Sequence, residues 1–372
     1  MRPLRIALLG SRGIPARYGG YETFMEEIAV RLRELGHDVT VYCRSHYTAR
    51  HEREHRGVRL VVLPTVRTKH LDTPVHTLLS CLHAMFGRYD AALVVNAANA
   101  MFVPLLRLSR TPTALHVDGI EKRRAKWGAL GRAVYAVSER LACVVPTHLV
   151  TDAAVIRDHY LKRYGAESTM ITYGVDPRPP AETGVLERLG LEAGGYFLYV
   201  SRFEPENNPH RLAEAYARVG GDVPLVMVGD APYASDYIDG FKRAADPRVR
   251  FPGAIYGEGY RELQAGALAY IHATEVGGTH PALVEAMGYG NCLVVNDTPE
   301  NREVAGPDAL YFEAADPDSL AAALERCRSD SQEVSRLAAA AGRRAAGRFS
   351  WAAVCGSYAD LFSKMTAKAR ES

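Results

Sequence analysis

Three short stretches of this 372-residue chain combine residue types that can do chemistry. The run Gly277-Gly278-Thr279-His280-Pro281-Ala282-Leu283-Val284-Glu285-Ala286-Met287-Gly288 sets two glycines and a small polar cap before a proline, then one carboxylate, then glycine. Proline at the first helical position and glycine past the end mark a short helix. The free N–H groups at its start suit an anion, and the glycines let a ligand approach the backbone. Gly19-Gly20 head a second predicted helix and offer the same helix-terminus chemistry. Arg202 directly follows the apolar run 196–200, where a guanidinium can neutralise charge on a departing phosphate. The plainer readings are an ordinary strand–turn–helix connection, glycines used only for a turn, and a salt bridge from Arg202 to Glu204 or Glu206.

Apolar runs at 4–9, 39–43, 58–63, 92–95 and 113–117 read as buried strands, and helical stretches separate them. One helix starts near Tyr21, with Phe24, Ile28, Leu32 and Leu35 on one face and Gly36 at its end. The pattern repeats at 196–200, 224–228, 249–251, 268–271 and 292–295. Strands alternating with helices predict two doubly wound parallel sheets. The cluster Gly174, Pro177, Pro179, Pro180 and Gly184 marks the boundary, giving domains at 1–172 and 173–350 and a terminal helical segment at 351–372. Residues 319–346 read as helical. Ligands of such folds bind at the carboxyl ends of the strands, here in the crevice expected between the halves.

Composition narrows the classes. No apolar run reaches the roughly 18–20 residues that span a bilayer, and the chain enters a strand pattern at once, which predicts no signal peptide. Six cysteines with no CxxC pair predict reduced thiols in a cytoplasmic protein rather than zinc or disulfides. Residues 1–172 hold 25 Lys and Arg against 15 Asp and Glu, and residues 173–372 hold 20 against 28. The basic half points to anionic lipid, nucleic acid or a phosphorylated substrate, or simply to a face that complements the acidic half. A dinucleotide fingerprint is not met: only Gly10 and Gly13 fit, and 41–44 offers no acid. No His/carboxylate cluster suggests a metal, and no recognised motif suggests nucleic-acid binding.

Taken in order, Gly19-Gly20, the loop Ser201-Arg202-Phe203-Glu204-Pro205-Glu206-Asn207-Asn208, the junction Met170–Asp176 and the Glu285 helix resemble the retaining family 4 glycosyltransferases of GT-B fold. The resemblance spans nearly the whole chain. It is strongest to bacterial rhamnosyltransferases of polysaccharide assembly, through Gly-Ser-Arg-Gly-Ile-Pro…Tyr-Gly-Gly-Tyr-Glu-Thr and Gly-Gly-Thr-x-Pro-Ala-Leu.

The resemblance implies that Gly19, Gly20 and Arg202 lie against the diphosphate of a nucleotide-sugar donor. It implies that Glu285 holds the ribose, and that the amides of Gly278, Thr279 and His280 face sugar and phosphate. Two positions depart from the family: Asn207 stands where it has a lysine, and Gly277 where it has a glutamate that handles a hydroxyl of the transferred sugar. The second departure favours a deoxy sugar over glucose. Glu275 either compensates or is solvated, and the solvated reading is preferred. Either His116 or Asp118 takes the family's place beside the sugar, and alternation puts both on one strand face; a buried, satisfied His116 is the plainer reading. The basic run Lys122, Arg123, Arg124, Lys126 with Trp127 reads either as a contact with anionic lipid or as a solvated helix.

The resulting expectation is a metal-independent, cofactor-free glycosyltransferase. It moves rhamnose from dTDP-rhamnose, or another sugar from a dTDP- or UDP-linked donor, to a hydroxyl of a saccharide or lipid-linked acceptor with retention. It is cytoplasmic and peripheral to the inner face of the plasma membrane, and the last helix is expected to cross back to the first domain. The alternatives are a GT-B nucleotide-sugar epimerase and a non-catalytic glycan- or lipid-binding scaffold.

Overall fold

The computed structural model describes residues 2–17, 19–68, 71–120, 128–231 and 235–371. It divides into two compact units, Met1–Tyr173 with Trp351–Ser372, and Gly174–Ser350.

The first unit carries eight strands: β1 (Arg5–Leu9), β2 (Asp38–Arg44), β3 (Glu54–His55), β4 (Val58–Leu63), β5 (Ala91–Val95), β6 (Thr113–Val117), β7 (His148–Thr151) and β8 (Thr169–Met170). Their order is β3-β4-β2-β1-β5-β6-β7-β8. All pairs are parallel except the β3–β4 hairpin. Every residue of β5 and β6 is buried, the mark of a parallel sheet covered by helices on both faces. The winding reverses between β1 and β5, and the carboxyl ends of strands at such a reversal form a ligand crevice.

The helix Gly20–Glu34 buries Phe24, Ile28 and Leu32. Leu35 does not join them and is 58% exposed, because the helix ends at Glu34 and the chain turns through Gly36 at φ 92°. The last helix, Trp351–Glu371, belongs to this unit, where Trp351, Tyr358 and Phe362 share a core with Phe24.

The second unit carries β9 (Phe197–Val200), β10 (Leu225–Val228), β11 (Val249–Gly253), β12 (Ala269–His272), β13 (Cys292–Asn296) and β14 (Leu310–Phe312). Their order is β11-β10-β9-β12-β13-β14, parallel throughout. This is the doubly wound order with its reversal between β9 and β12. The stretch 319–346 falls into two helices, Pro317–Ser329 and Ser331–Arg348. Asp330 separates them, because its carboxylate accepts the Glu333 amide at 2.8 Å and starts a new helix.

Candidate active site

The reversal point of the second unit is flanked by the loops that follow β9 and β12. Arg202 lies on the first of these. Its side chain is 37% exposed and its Nη1 contacts Glu204 Oε1 at 3.3 Å. Such a half-solvated pair is weak, so the guanidinium can exchange partners at little cost. Asn207, expected to meet the donor, is buried; its Nδ2 donates to the Arg202 carbonyl at 2.7 Å, and its own carbonyl accepts the Tyr199 hydroxyl at 2.7 Å. Its amide thus fastens the arginine loop. From below, the end of β10 presses close: a Cβ on Gly229, at φ 154°, would stand 1.8 Å from the Ser201 carbonyl oxygen. Only glycine fits there.

Asn208 ties this loop to the next. Its Nδ2 donates to the Ala273 carbonyl at 2.8 Å and to Glu275 Oε1 at 3.0 Å, and Glu275 also lies 3.6 Å from Arg211. Glu275 is thus exposed, as the solvated reading expected, and also engaged by Asn208 and Arg211. Asn301 holds the same loop from the other side through the Thr274 carbonyl at 2.9 Å.

After β12 come the buried residues Gly277, Gly278 and Thr279, then the helix Pro281–Gly288. No side chain caps this helix; the His280 carbonyl takes the amides of Leu283 and Val284. Glu285 is half-buried on its second turn. The Tyr260 hydroxyl donates to Glu285 Oε2, and Gln264 Nε2 donates to that hydroxyl at 2.9 Å. Asn291 in turn anchors Gln264 through its backbone carbonyl at 2.9 Å. Burial, then the charge of Glu285, push the Tyr260 pKa well above its ordinary value, so it remains a donor. Sequence reasoning missed Tyr260 and Gln264, which lie on the helix Gly257–Gly266. Their i, i+4 spacing was the available signal.

In the first unit, Gly19 is the extended cap of the helix Gly20–Glu34 and brings no side-chain hydrogen bond to that end. Glu22 and Glu26, one turn apart, reach back to the preceding loop. Glu22 Oε1 accepts the Arg12 amide at 3.0 Å and Glu26 Oε2 the Ala16 amide at 2.6 Å. Burial raises the Glu22 pKa, while the Arg12 amide and the Arg12 and Arg44 charges oppose the rise.

His116 is fully buried on β6. Its Nδ1 bonds the Tyr358 hydroxyl at 2.6 Å, and its ring is walled by Phe24 (5.0 Å between centroids), Tyr173 (5.8 Å) and Tyr21 (6.1 Å). Burial lowers its pKa to about 3, so it is uncharged at neutral pH. Asp118 is only half-buried and lies beside the buried Tyr21 hydroxyl. Of the two candidates, Asp118 is the one solvent reaches. Asp152, at the end of β7, is a buried carboxylate near the same tyrosines, and sequence reasoning missed it. A charged residue directly after the apolar run 149–151 was its signal. Lys122, Arg123, Arg124, Lys126 and Trp127 lie outside the described residues.

Known proteins match this chain in sequence and fold. Residues 19–174 match the glycosyl transferase 4-like domain, and residues 194–330 match the glycosyl transferases group 1 domain. The O-antigen chain mannosyltransferase B of Escherichia coli is 28% identical over 183 residues, 47% of this chain and 48% of that protein. The chain thus spans about half the length of that relative. Sucrose-phosphate synthase from Thermosynechococcus elongatus superposes with a TM-score of 0.82 at 18% identity, over 98% of this chain and all of that one. The Anabaena protein HepE in complex with UDP-glucose superposes with a TM-score of 0.78 at 18% identity, over 97% of this chain and all of that one.

Proposed function

We propose, from the premise that this chain is a glycosyltransferase of the family 4 type with GT-B architecture, that it transfers a deoxy sugar from a nucleotide diphospho-sugar to a hydroxyl acceptor in glycan assembly. One observation carries the reading: Arg202 and the helix bearing Glu285 stand at the single winding reversal of the second sheet, on loops braced to each other by Asn208. In this reading Arg202 and the open start of the Pro281–Gly288 helix stabilise the departing diphosphate. Glu285, oriented by Tyr260, accepts hydrogen bonds from the ribose hydroxyls. Gly19 and Gly20 offer a second open helix start to phosphate, and Asp118 serves the acceptor side. The bond from the anomeric carbon to the phosphate oxygen breaks as the acceptor oxygen bonds the same face. The leaving phosphate takes the acceptor's proton, so configuration is retained without a metal or cofactor. Our donor is dTDP-rhamnose; HepE, whose complex holds UDP-glucose, supports the donor class only.

The acceptor side includes contact with an anionic membrane at the cytoplasmic face. Among the described residues of 73–150, every exposed charged side chain is an arginine: Arg88, Arg107, Arg110, Arg132 and Arg140. Arg88 follows Phe86, 83% exposed, and Arg107 and Arg110 flank Leu108, 74% exposed, while Arg132 and Arg140 share the helix Ala129–Val144 with the exposed Val137 and Val144. Cationic and apolar residues together suit anionic headgroups. Among the described residues no helix is long and apolar enough to cross a membrane.

A thermal-shift panel of dTDP-, UDP- and GDP-sugars tests the donor. Stabilisation by dTDP-rhamnose above the others is the expected result, and a preference for a UDP-hexose overturns it. Incubation with donor alone must leave the sugar unchanged; an epimerised donor rejects transfer.

A further inference from the structure

Gly277 is buried and has ordinary backbone angles for any residue, so conformation does not explain the glycine. Space does. A Cβ there would stand 2.3 Å from His280 Cε1 and 2.6 Å from Nε2, closer than real Cβ contacts. The imidazole of His280 therefore occupies the room that a side chain at 277 would take.

His280 does not stand alone. Its ring lies 4.6 Å, centroid to centroid, from that of His272, the last residue of β12. His272 is 4% exposed, and its ring also stacks with that of Tyr270 at 6.3 Å between centroids. Its Nε2 has no hydrogen-bond partner among the described residues. A buried ring nitrogen without a partner is costly unless something supplies one. The surrounding loop is held by Asn208 and Asn301 at the Ala273 and Thr274 carbonyls, so the pair is set in a braced turn.

We propose that His280, seated in the side-chain space of residue 277 and backed by His272, is the element that reads the transferred sugar and selects a deoxy sugar. This rests on the donor-site reading above. The chemistry follows from what each group needs. An ionised carboxylate only accepts hydrogen bonds and is left unsatisfied by a sugar lacking the matching hydroxyl. The imidazole presents a flat face to C–H groups, and a sugar hydroxyl brought against that face gives up water without gaining a partner, so a deoxy position fits it better. Burial lowers the His272 pKa to about 3, which keeps the supporting ring neutral.

The test measures equilibrium binding of dTDP, dTDP-rhamnose and dTDP-glucose, and of UDP and UDP-glucose, to the full chain and its variants. Wild type should favour the rhamnosyl over the glucosyl form by roughly tenfold or more. His280→Gly should bring that ratio near one. Gly277→Ala, which removes no functional atom, should act like His280→Gly by displacing the ring. Gly277→Ala with His280→Gly should be no worse than either alone. His272→Gln, which keeps a polar group in place, should reduce the ratio less than His280→Gly. An unchanged ratio in His280→Gly and His272→Gln, with dTDP bound normally, overturns the inference and spares the donor-site reading. A wild-type preference for the glucosyl form overturns the selection of a deoxy sugar. A wild-type chain that binds no nucleotide at all removes the donor-site reading, and the inference with it.

Discussion

The two units share a winding plan and differ in what stands at the carboxyl ends of their strands. In the second, hydrogen bonds cross from loop to loop: Asn208 to Ala273 and Glu275, Asn301 to Thr274, Gln264 to Tyr260 to Glu285. In the first, strand β6 delivers His116 into a wall of Phe24, Tyr173, Tyr21 and Tyr358. A doubly wound sheet tells where a ligand can sit, and the residues beyond each strand decide what it can be. Crossed amide braces hold charged groups in place for a polar ligand. An aromatic wall holds a neutral ring.

The sharpest way to break this contrast is Arg202→Ala. The guanidinium is half-exposed and pairs only weakly with Glu204, so turnover should fall about 10²–10³-fold while the melting temperature stays put. An unchanged kcat would remove the second unit's charged loop from the chemistry. Glu285→Gln should weaken nucleotide binding by roughly 10–100-fold, because a charge-assisted acceptor is lost. Tyr260→Phe removes only the orienting donor, so about 2–10-fold is expected. Calorimetric titration with the nucleoside diphosphate orders the two.

The first unit should answer through stability instead. Tyr358→Phe leaves the buried His116 Nδ1 without its partner and should cost about 1–3 kcal/mol in urea unfolding. Acidity sharpens the same point. His116 has its pKa lowered from 6.5 to about 3 by burial. Above pH 6.5 neither state binds the proton. Below it the unfolded chain takes up a proton that the folded chain refuses, so stability falls until about pH 3. His116→Phe should flatten that part of the acid profile; an unaltered slope would mean the ring is not shut in. The smallest effect concerns the arginine-bearing face. Arg107→Glu with Arg110→Glu should reduce sedimentation with anionic vesicles at low salt and leave turnover of a soluble acceptor unchanged.

Much of the architecture was legible because buried parallel strands are continuous apolar runs. The strands at 58–63 and 113–117 lie where their residues predicted. The edge strands Glu54–His55, Thr169–Met170 and Leu310–Phe312 were not foreseen, since two or three residues at a sheet edge carry no periodic signal. Of the candidate site, the glycines, the arginine and the one carboxylate could be named from the sequence, and the structure sets Arg202 and the Glu285 helix beside the reversal of the second sheet. It was not legible in its supports. Asn207 looked like a ligand residue because its spacing from Arg202 matched, and only the fold shows its amide turned to the Arg202 carbonyl. Asp152 was hidden because nothing along the chain joins it to Asp118; adjacent strands do. The coupling of Gly277 to His280 is a matter of packing in three dimensions, and a glycine in sequence does not say what fills its place.

The helix Trp351–Glu371 has a consequence for biosynthesis. A ribosome releases residues 1–173 long before Tyr358 and Phe362 exist, yet both belong to the core around Phe24 and His116. The first unit to emerge is therefore the last to be completed. Until then it waits with an aromatic face uncovered, while residues 174–350 already hold every strand of their own sheet. Completion of the two cores along this chain thus runs against the order of synthesis.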